Sequence, residues 1–278
     1  MTGLGAAADS SQGAKHTRRL GSNPANQELT VAILTLNEAD NIGECVSSLA
    51  WADKIVVFDA FSVDATIELA AKAGAEVLQS AFHNYAQQRN AALSRIDTDW
   101  VFFVDADERG TPELHVEIRS VMESRSESGW YVPRHNYIFG RLTRGAGWYP
   151  DYQLRLFRHG TVRYERPVHE VAIVDGAIGY LENALLHYNY EDADQFHLKQ
   201  QRYTDYDAQI LLEEGITPKR HTPITQLLRH FWWRFVTLRG YQDGLHGLRL
   251  SAFMAYYEWL KYRKLALLAN QTTVAPER

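Results

Sequence analysis

The chain has 278 residues, 45% hydrophobic, 12% aromatic and 23% charged, a composition that marks a soluble globular protein and excludes a disordered or fibrous one. Its one cysteine, Cys45, excludes a disulfide framework and a cysteine-rich metal cluster, and suits a reducing cytoplasm. The net charge of −5 speaks against a chain-wide nucleic-acid binder, and no run approaches the roughly 20 apolar residues of a membrane span.

Residues 1–28 are rich in Ala, Gly, Ser, Gln and Asn without hydrophobic periodicity, the pattern of a disordered leader. Lys15, Arg18 and Arg19 are not followed by an apolar segment, so a secretory signal is not expected. Leu29–Leu36 (LTVAILTL) is a β-branched run suited to a buried strand, and the polar stretch Asn37–Asn41 opens a helix toward Leu49. Strands are then predicted at Lys54–Phe58, Ala75–Gln79 and Trp100–Val104, with helices at Asp64–Ala73 and Asn84–Arg95 between them. Strands separated by three-turn helices make βαβ units, and right-handed crossovers make their sheet parallel. Further on, Gly129–Phe139 and Gln153–Arg158 read as strands. Tyr188–Gly215 contains a long polar helix, Pro223–Arg239 has helical apolar spacing, and Leu245–Ala269 is an aromatic-dense helix. The expected organisation is a catalytic domain over 29–215 and a helical C-terminal region over 216–278.

Ligands of open parallel sheets bind at the carboxyl ends of the strands. Three of those ends carry acids here: Glu38 after the first strand, Asp59 after the second, and Asp105 with Asp107 after the fourth. Two carboxylates leaving a buried strand are costly to desolvate without a cation, and a magnesium-type ion plus a phosphate is their natural partner. Helix capping by Asp107 and Glu108 near Pro112 is the plainer alternative.

The blocks Ala32–Glu38 (AILTLNE), Ile55–Asp59 with Ser62 and Asp64, Gln88–Leu93 and Trp100–Glu108 resemble the family-2 glycosyltransferases of the GT-A fold. Trp148–Phe157, Val168-His169-Glu170 and Leu186-His187-Tyr188 look like the branch that holds lipopolysaccharide-core β-glucosyltransferases. The resemblance implies an α/β fold, with a mixed nucleotide-sugar-binding sheet flanked by helices and a helical C-terminal appendage. It implies that Thr35, Asn37, Glu38, Asp59, Arg89 and Asp105 bind a UDP-sugar donor. It also implies that Asp107, with His187, holds a divalent metal, Mg2+ or Mn2+. Carboxylates that accept pyrimidine N–H or ribose hydroxyls, and an always-charged arginine fork, suit those roles. Each has a structural alternative: helix N-capping by Asn37 and Glu38, a surface arginine at Arg89, a satisfied core histidine at His187. Ala60, Phe61 and Val63 stand where the family pattern has Ser, Gly and Thr, and a phenylalanine in a glycine's place is expected to reshape the base pocket.

An inverting transfer needs a general base for the acceptor hydroxyl. By resemblance this is Asp151, with Glu170 as second candidate; an ordinary turn residue after Pro150 is the alternative for Asp151. The implied acceptor is a cell-envelope glycolipid such as lipopolysaccharide core. A sugar-1-phosphate nucleotidyltransferase would need a glycine-rich loop, and none follows Leu29–Leu36. A non-catalytic membrane or assembly module would not need Asp59, Asp105, Asp107 and Asp151.

The average charge hides two zones. Between Lys219 and Lys264, nine Lys/Arg stand against Asp243 and Glu258, a net +7, which leaves −12 on the rest of the chain. Trp232, Trp233, Trp259, Tyr256, Tyr257 and Tyr262 lie in the basic zone, the composition of helices that meet anionic head groups. The expectation is peripheral contact with the cytoplasmic face of the inner membrane through 219–264, against core packing or a homo-oligomer contact, and without nucleic acid.

Overall fold

The computed structural model describes residues 27–166 and 171–274, so the predicted leader falls almost wholly outside the described residues. Strands and helices first alternate: β1 (Leu29–Thr35), α1 (Ala39–Ser48), β2 (Lys54–Asp59), α2 (Thr66–Lys72), β3 (Glu76–Gln79), α3 (Tyr85–Leu93) and β4 (Trp100–Asp105). A strand-rich segment follows: β5 (Glu108–Arg109), α4 (Pro112–Ser124), β6 (Gly129–Val132), β7 (Arg134–Ile138), β8 (Arg141–Leu142), β9 (Gln153–Arg158), β10 (Val162–Glu165), β11 (Val171–Val174), β12 (Ile178–Tyr180) and β13 (Leu185–Tyr190). The chain ends in three helices, α5 (Ala193–Glu213), α6 (Thr222–Trp232) and α7 (Gly244–Val274).

Seven strands form the main sheet in the order β12-β6-β9-β4-β1-β2-β3. β1 lies between β2 and β4 and runs parallel to both, as βαβ connections require. β9 enters antiparallel to β4 and makes the sheet mixed. Alternation along β1 and β4 builds two core layers. Leu29, Val31, Ile33, Trp100, Phe102 and Val104 pack on Ile42 and Val46 of α1 and Leu114, Ile118 and Met122 of α4. Ala32, Val101 and Phe103 face the other way, onto Ala86, Ala92 and Leu93 of α3, with Phe157 and Tyr164. The observed architecture is the mixed α/β sheet with a helical C-terminal appendage that the resemblance implied.

The predicted strand over Gly129–Phe139 is two strands. Pro133 has no N–H to donate to a ladder, and there the chain leaves the main sheet for a second one, of order β5-β13-β7-β8. The predicted helix over Pro223–Arg239 is α-helical only to Trp232 and continues as a π-helical turn over Trp233–Thr237. That turn carries Arg234 to the carbonyl of Ala146 at 2.7 Å. Asp243 accepts from the N–H groups of Arg144 and Gly145, and the Thr143 hydroxyl meets His246 Nε2 at 3.0 Å. The C-terminal helices therefore clamp loop 143–148. α7 also packs on α5, where Tyr257 reaches His197 at 2.6 Å and Lys264 pairs with Asp205 at 2.6 Å. The aromatics of this region divide: Tyr257 is buried with Phe196 and Tyr190, while Trp232, Trp233 and Tyr256 are exposed.

Candidate functional site

The carboxyl ends of β1 and β4 open into a cavity of about 950 Å³ that α5 borders through Lys199 and Tyr203. Thr35, Glu38, Arg89, Asp105, Asp107 and His187 all line it. Asn37, Asp59 and Asp151 do not, although Arg134 and Gln153, which bond to Asp151, do. Glu170 lies outside the described residues.

Asp59 is fully buried and holds the first two strand ends together. Its Oδ1 accepts from the Thr35 hydroxyl at 3.2 Å and the Ser62 hydroxyl at 2.5 Å, and its Oδ2 from the Ser62 N–H at 2.8 Å. Asn37 accepts from the Val63 N–H at 2.9 Å, and its own N–H donates to Ser62 at 2.8 Å. These two residues stitch the turns after β1 and β2, and the helix N-cap alternative for Asn37 is not what is seen. Phe61 keeps the left-handed backbone of the glycine it replaces, with φ of 61°. Its ring is exposed and does not line the cavity; Ala60 does.

The acid after β4 is held by arginines. Arg155, in the middle of an apolar strand, donates both terminal nitrogens to Asp105, Nη1 to Oδ1 at 3.0 Å, and Arg89 stands 3.7 Å from Oδ1. Burial alone would raise the Asp105 carboxyl, but the charges of Arg155 and Arg89 overcome it and hold the group well below the ordinary carboxylate range. Glu108, fully buried, pairs with Arg134 at 3.0 Å and Arg155 at 3.5 Å, and accepts from the Asp105 N–H at 2.9 Å. Arg134 then reaches Asp151 Oδ2 at 2.6 Å, which Asn136 also contacts at 3.1 Å. Gln153 donates to Oδ1 at 3.0 Å. Burial pushes the Asp151 carboxyl up, but Arg134, Asn136 and Gln153 more than offset this and leave it lowered.

Asp107 and His187 face each other, with Nε2 3.4 Å from Oδ2. Asn136 spends its amide nitrogen on the Trp148 carbonyl and Asp151, so its Oδ1 is the acceptor for His187 Nδ1 at 2.7 Å. That bond makes Nδ1 the donor to Asn136 and fixes the ring with Nε2 turned toward Asp107. A ring nitrogen and a carboxylate oxygen so placed are two ligands of the kind a divalent cation takes, and a magnesium-type ion needs few protein ligands beside phosphate oxygens; among the described residues no cluster of three such side chains occurs. Glu38, on the same wall, is pushed up by burial, opposed by the Asn41 amide and reinforced by the charges of Asp107 and Asp105. The wall as a whole carries Arg89, Arg134, Arg155 and Lys199 against Glu38, Asp105 and Asp107, a balance that favours an anionic ligand.

Arg134, Asn136 and Arg155 were not singled out from the sequence. Arg155 had a signal, since a lone charge inside the apolar run Leu154–Phe157 has to find a buried partner. Arg134 and Asn136 had none, because their partners come from other strands.

Residues 30–164 match the family model described as Glycosyl transferase family 2. The chain is 30% identical to the lipopolysaccharide core biosynthesis glycosyltransferase LpsC of Rhizobium meliloti, over 85% of this chain and 91% of LpsC. It is 24% identical to an uncharacterized glycosyltransferase of Rickettsia bellii over 90% of each chain. Among solved structures, S. aureus TarS 1-349 in complex with UDP-GlcNAc aligns over 88% of this chain and 92% of TarS, with 14% identity and a TM-score of 0.47. Mycobacterium tuberculosis glucosyl-3-phosphoglycerate synthase, solved with Mn2+ and UDP, covers 73% of this chain and 87% of its own, with 17% identity and a TM-score of 0.46. Both scores mark a loose likeness. The sequence relationship is the firm one: this chain belongs to glycosyltransferase family 2 and is a glycosyltransferase.

Proposed function

We propose that this enzyme moves a hexose, glucose first among the candidates, from a UDP-sugar to a lipopolysaccharide-core glycolipid at the cytoplasmic face of the inner membrane, with inversion at the anomeric carbon. The observation that carries this reading is the gathering of Thr35, Glu38, Arg89, Asp105, Asp107 and His187 on one cavity of about 950 Å³, a size that suits a nucleotide-sugar. The relationship to LpsC supports the acceptor class.

Asp107 and His187 are the residues that would hold a divalent metal, Mg2+ or Mn2+, which when bound neutralises charge on the departing diphosphate. Asn136 orients the His187 ring so that Nε2 faces Asp107 for that purpose. Arg155 and Arg89 hold Asp105 ionised, so that its carboxylate can accept hydroxyl groups from the donor. Asp59 supports the nucleotide end indirectly by fixing Thr35 and the turn that carries Ala60. By the family resemblance Asp151, which sits behind the cavity residues Arg134 and Gln153, takes the acceptor proton, through Oδ1, its less occupied oxygen. The acceptor oxygen bonds to the anomeric carbon, the bond from that carbon to the diphosphate breaks, and UDP leaves with the electron pair.

The test is turnover over a panel of nucleotide sugars, with and without manganese, for the natural chain and Asp151→Asn. Expected are metal-stimulated turnover of a UDP-sugar, and a loss of at least a hundredfold in transfer by Asp151→Asn with UDP affinity unchanged. Normal transfer by that variant would remove Asp151 from the mechanism, and an equal response to every nucleotide sugar would remove the UDP assignment.

A further inference from the structure

α6 takes no part in lining the donor cavity. Its inner side is occupied: Pro223 is buried, and Arg234 on the following turn donates to His230 Nε2 at 2.8 Å as well as to Ala146. The outer side is a different surface. Ile224, Leu228, Trp232 and Val236 recur every fourth residue with Trp233 beside them, and all five are between 37 and 64% exposed. Residues four apart stack on one side of a helix, so these side chains form a continuous apolar row about three turns long. Isolated exposed apolar residues need no explanation; an unbroken row that includes two tryptophans does.

The charges around the row say what covers it. Between Gly215 and Gln242 the chain contains no acidic residue. Lys219 and Arg220 lie just before α6, Arg229 beside the row and Arg239 past its end, and all four are exposed. Lys219, Arg220 and Arg263 also line a second cavity, of about 600 Å³, whose walls carry no carboxylate and whose remaining lining includes Pro223, Ala266 and Leu267. A second copy of this chain docked through the same face would oppose two basic, acid-free surfaces, as an isologous contact requires. An anionic lipid surface complements both features, since it offers acyl carbon to the row and phosphates to the cations.

We propose that α6 is an interfacial membrane anchor that lies in the plane of an anionic bilayer, its Ile224–Leu228–Trp232 row at the acyl boundary and Lys219, Arg220, Arg229 and Arg263 among the head-group phosphates. The proposal deepens the reading of a lipid-borne acceptor and rests on that reading for its purpose, not for its physical basis. A helix three turns long is too short to cross a bilayer, and among the described residues no helix is long and apolar enough to do so. The anchor is therefore peripheral and reversible. Each basic residue at the surface is worth roughly a fivefold gain in partitioning, which salt removes.

The experiment is co-sedimentation of the full chain with vesicles of phosphatidylethanolamine and phosphatidylglycerol, against vesicles of phosphatidylcholine alone. Tryptophan fluorescence is followed in parallel. Three proteins are compared: the natural chain, Leu228→Gln with Trp232→Gln, and Lys219→Gln with Arg220→Gln and Arg229→Gln. All these positions are on the surface, and far-UV circular dichroism and donor hydrolysis in lipid-free solution check that each variant is folded. The natural chain is expected to bind the anionic vesicles with a blue shift in emission and to release in high salt. The apolar pair should weaken partitioning roughly tenfold or more, and the charge triple should abolish the preference for anionic lipid. Equal binding to both vesicle types, or unchanged binding by the apolar pair, would overturn the proposal. So would a dimer of the natural chain in sedimentation velocity that the apolar pair converts to monomer without any effect on vesicles. Vesicle binding by a chain that hydrolyses no UDP-sugar would instead leave the anchor standing and remove the donor assignment.

Discussion

Arg155→Met isolates the charge network beneath the cavity. The substitution keeps an unbranched apolar stem in the strand and removes the guanidinium that Asp105 and Glu108 share. Removing one partner of a buried ion pair costs about 3–5 kcal/mol, because the remaining charge is left without compensation. Three facts place this case at the low end of that range. Glu108 retains Arg134 at 3.0 Å, Asp105 retains Arg89 at 3.7 Å, and the Asp105 side chain is 36% exposed to water. A loss of about 3 kcal/mol corresponds to a drop of roughly 6–12 °C in Tm for a chain of this size. The pH dependence carries a sign. The Asp105 carboxyl is held below its unfolded value, so its contribution is present above about pH 4 and is lost as pH falls through the folded value. In Arg155→Met, burial is no longer opposed by that guanidinium and the carboxyl rises, so protonation relieves the unpaired charge as the solution is acidified. The gap in Tm between the two proteins is therefore expected to be largest near neutrality and to narrow toward pH 4. Thermal melts followed by circular dichroism at several pH values measure this. A variant within about 2 °C of the natural chain at pH 7, or a gap that widens in acid, would refute the role assigned to Arg155.

Gly145→Ala should destabilise the clamp on loop 143–148 by roughly 1–3 kcal/mol, since its Cβ would run into the Arg239 carbonyl oxygen and stand 2.8 Å from Gly240 Cα. Gly43→Ala is the control with the opposite sign. It lies within α1 with nothing within 4 Å of its added Cβ, so a gain of about 0.5–1 kcal/mol is expected, and denaturant melts of both variants measure the difference. Cys45 is fully buried, and burial pushes its thiol well above the ordinary range, so Ellman's reagent should label it only as fast as the protein unfolds. Rapid labelling of the native protein would contradict the packing of α1 on β4.

Much of the first half was legible in the sequence because its signals are local. The apolar runs Leu29–Leu36 and Trp100–Val104 have the length and β-branched or aromatic content of buried strands. The acids that follow them stand at strand ends whatever the rest of the chain does. The cavity acids taken from those ends, Glu38, Asp105 and Asp107, were found in the sequence for that reason, while Thr35 came from the family resemblance. Asp59 was legible as a strand-end acid, but its orientation was not. Only the neighbouring β1 explains why it turns inward to the Thr35 hydroxyl. Pro133 shows the same limit: its missing N–H announces an interruption, while which sheet each half joins depends on partners far along the chain.

The sequence by itself determined the α/β class, the succession of the first four strands along the chain, the acids at their ends and the split between an acidic and a basic zone. These follow from hydrophobic period, chain direction and composition, which are properties of neighbouring residues. Tertiary structure alone decided how those charges are used. It brought Arg155 to Asp105, tied Asp151 through Asn136 to His187, and left one side of α6 uncovered. Each is a contact, or the absence of one, between segments far apart in the chain. Such pairings depend on how the layers pack, and no local pattern encodes that.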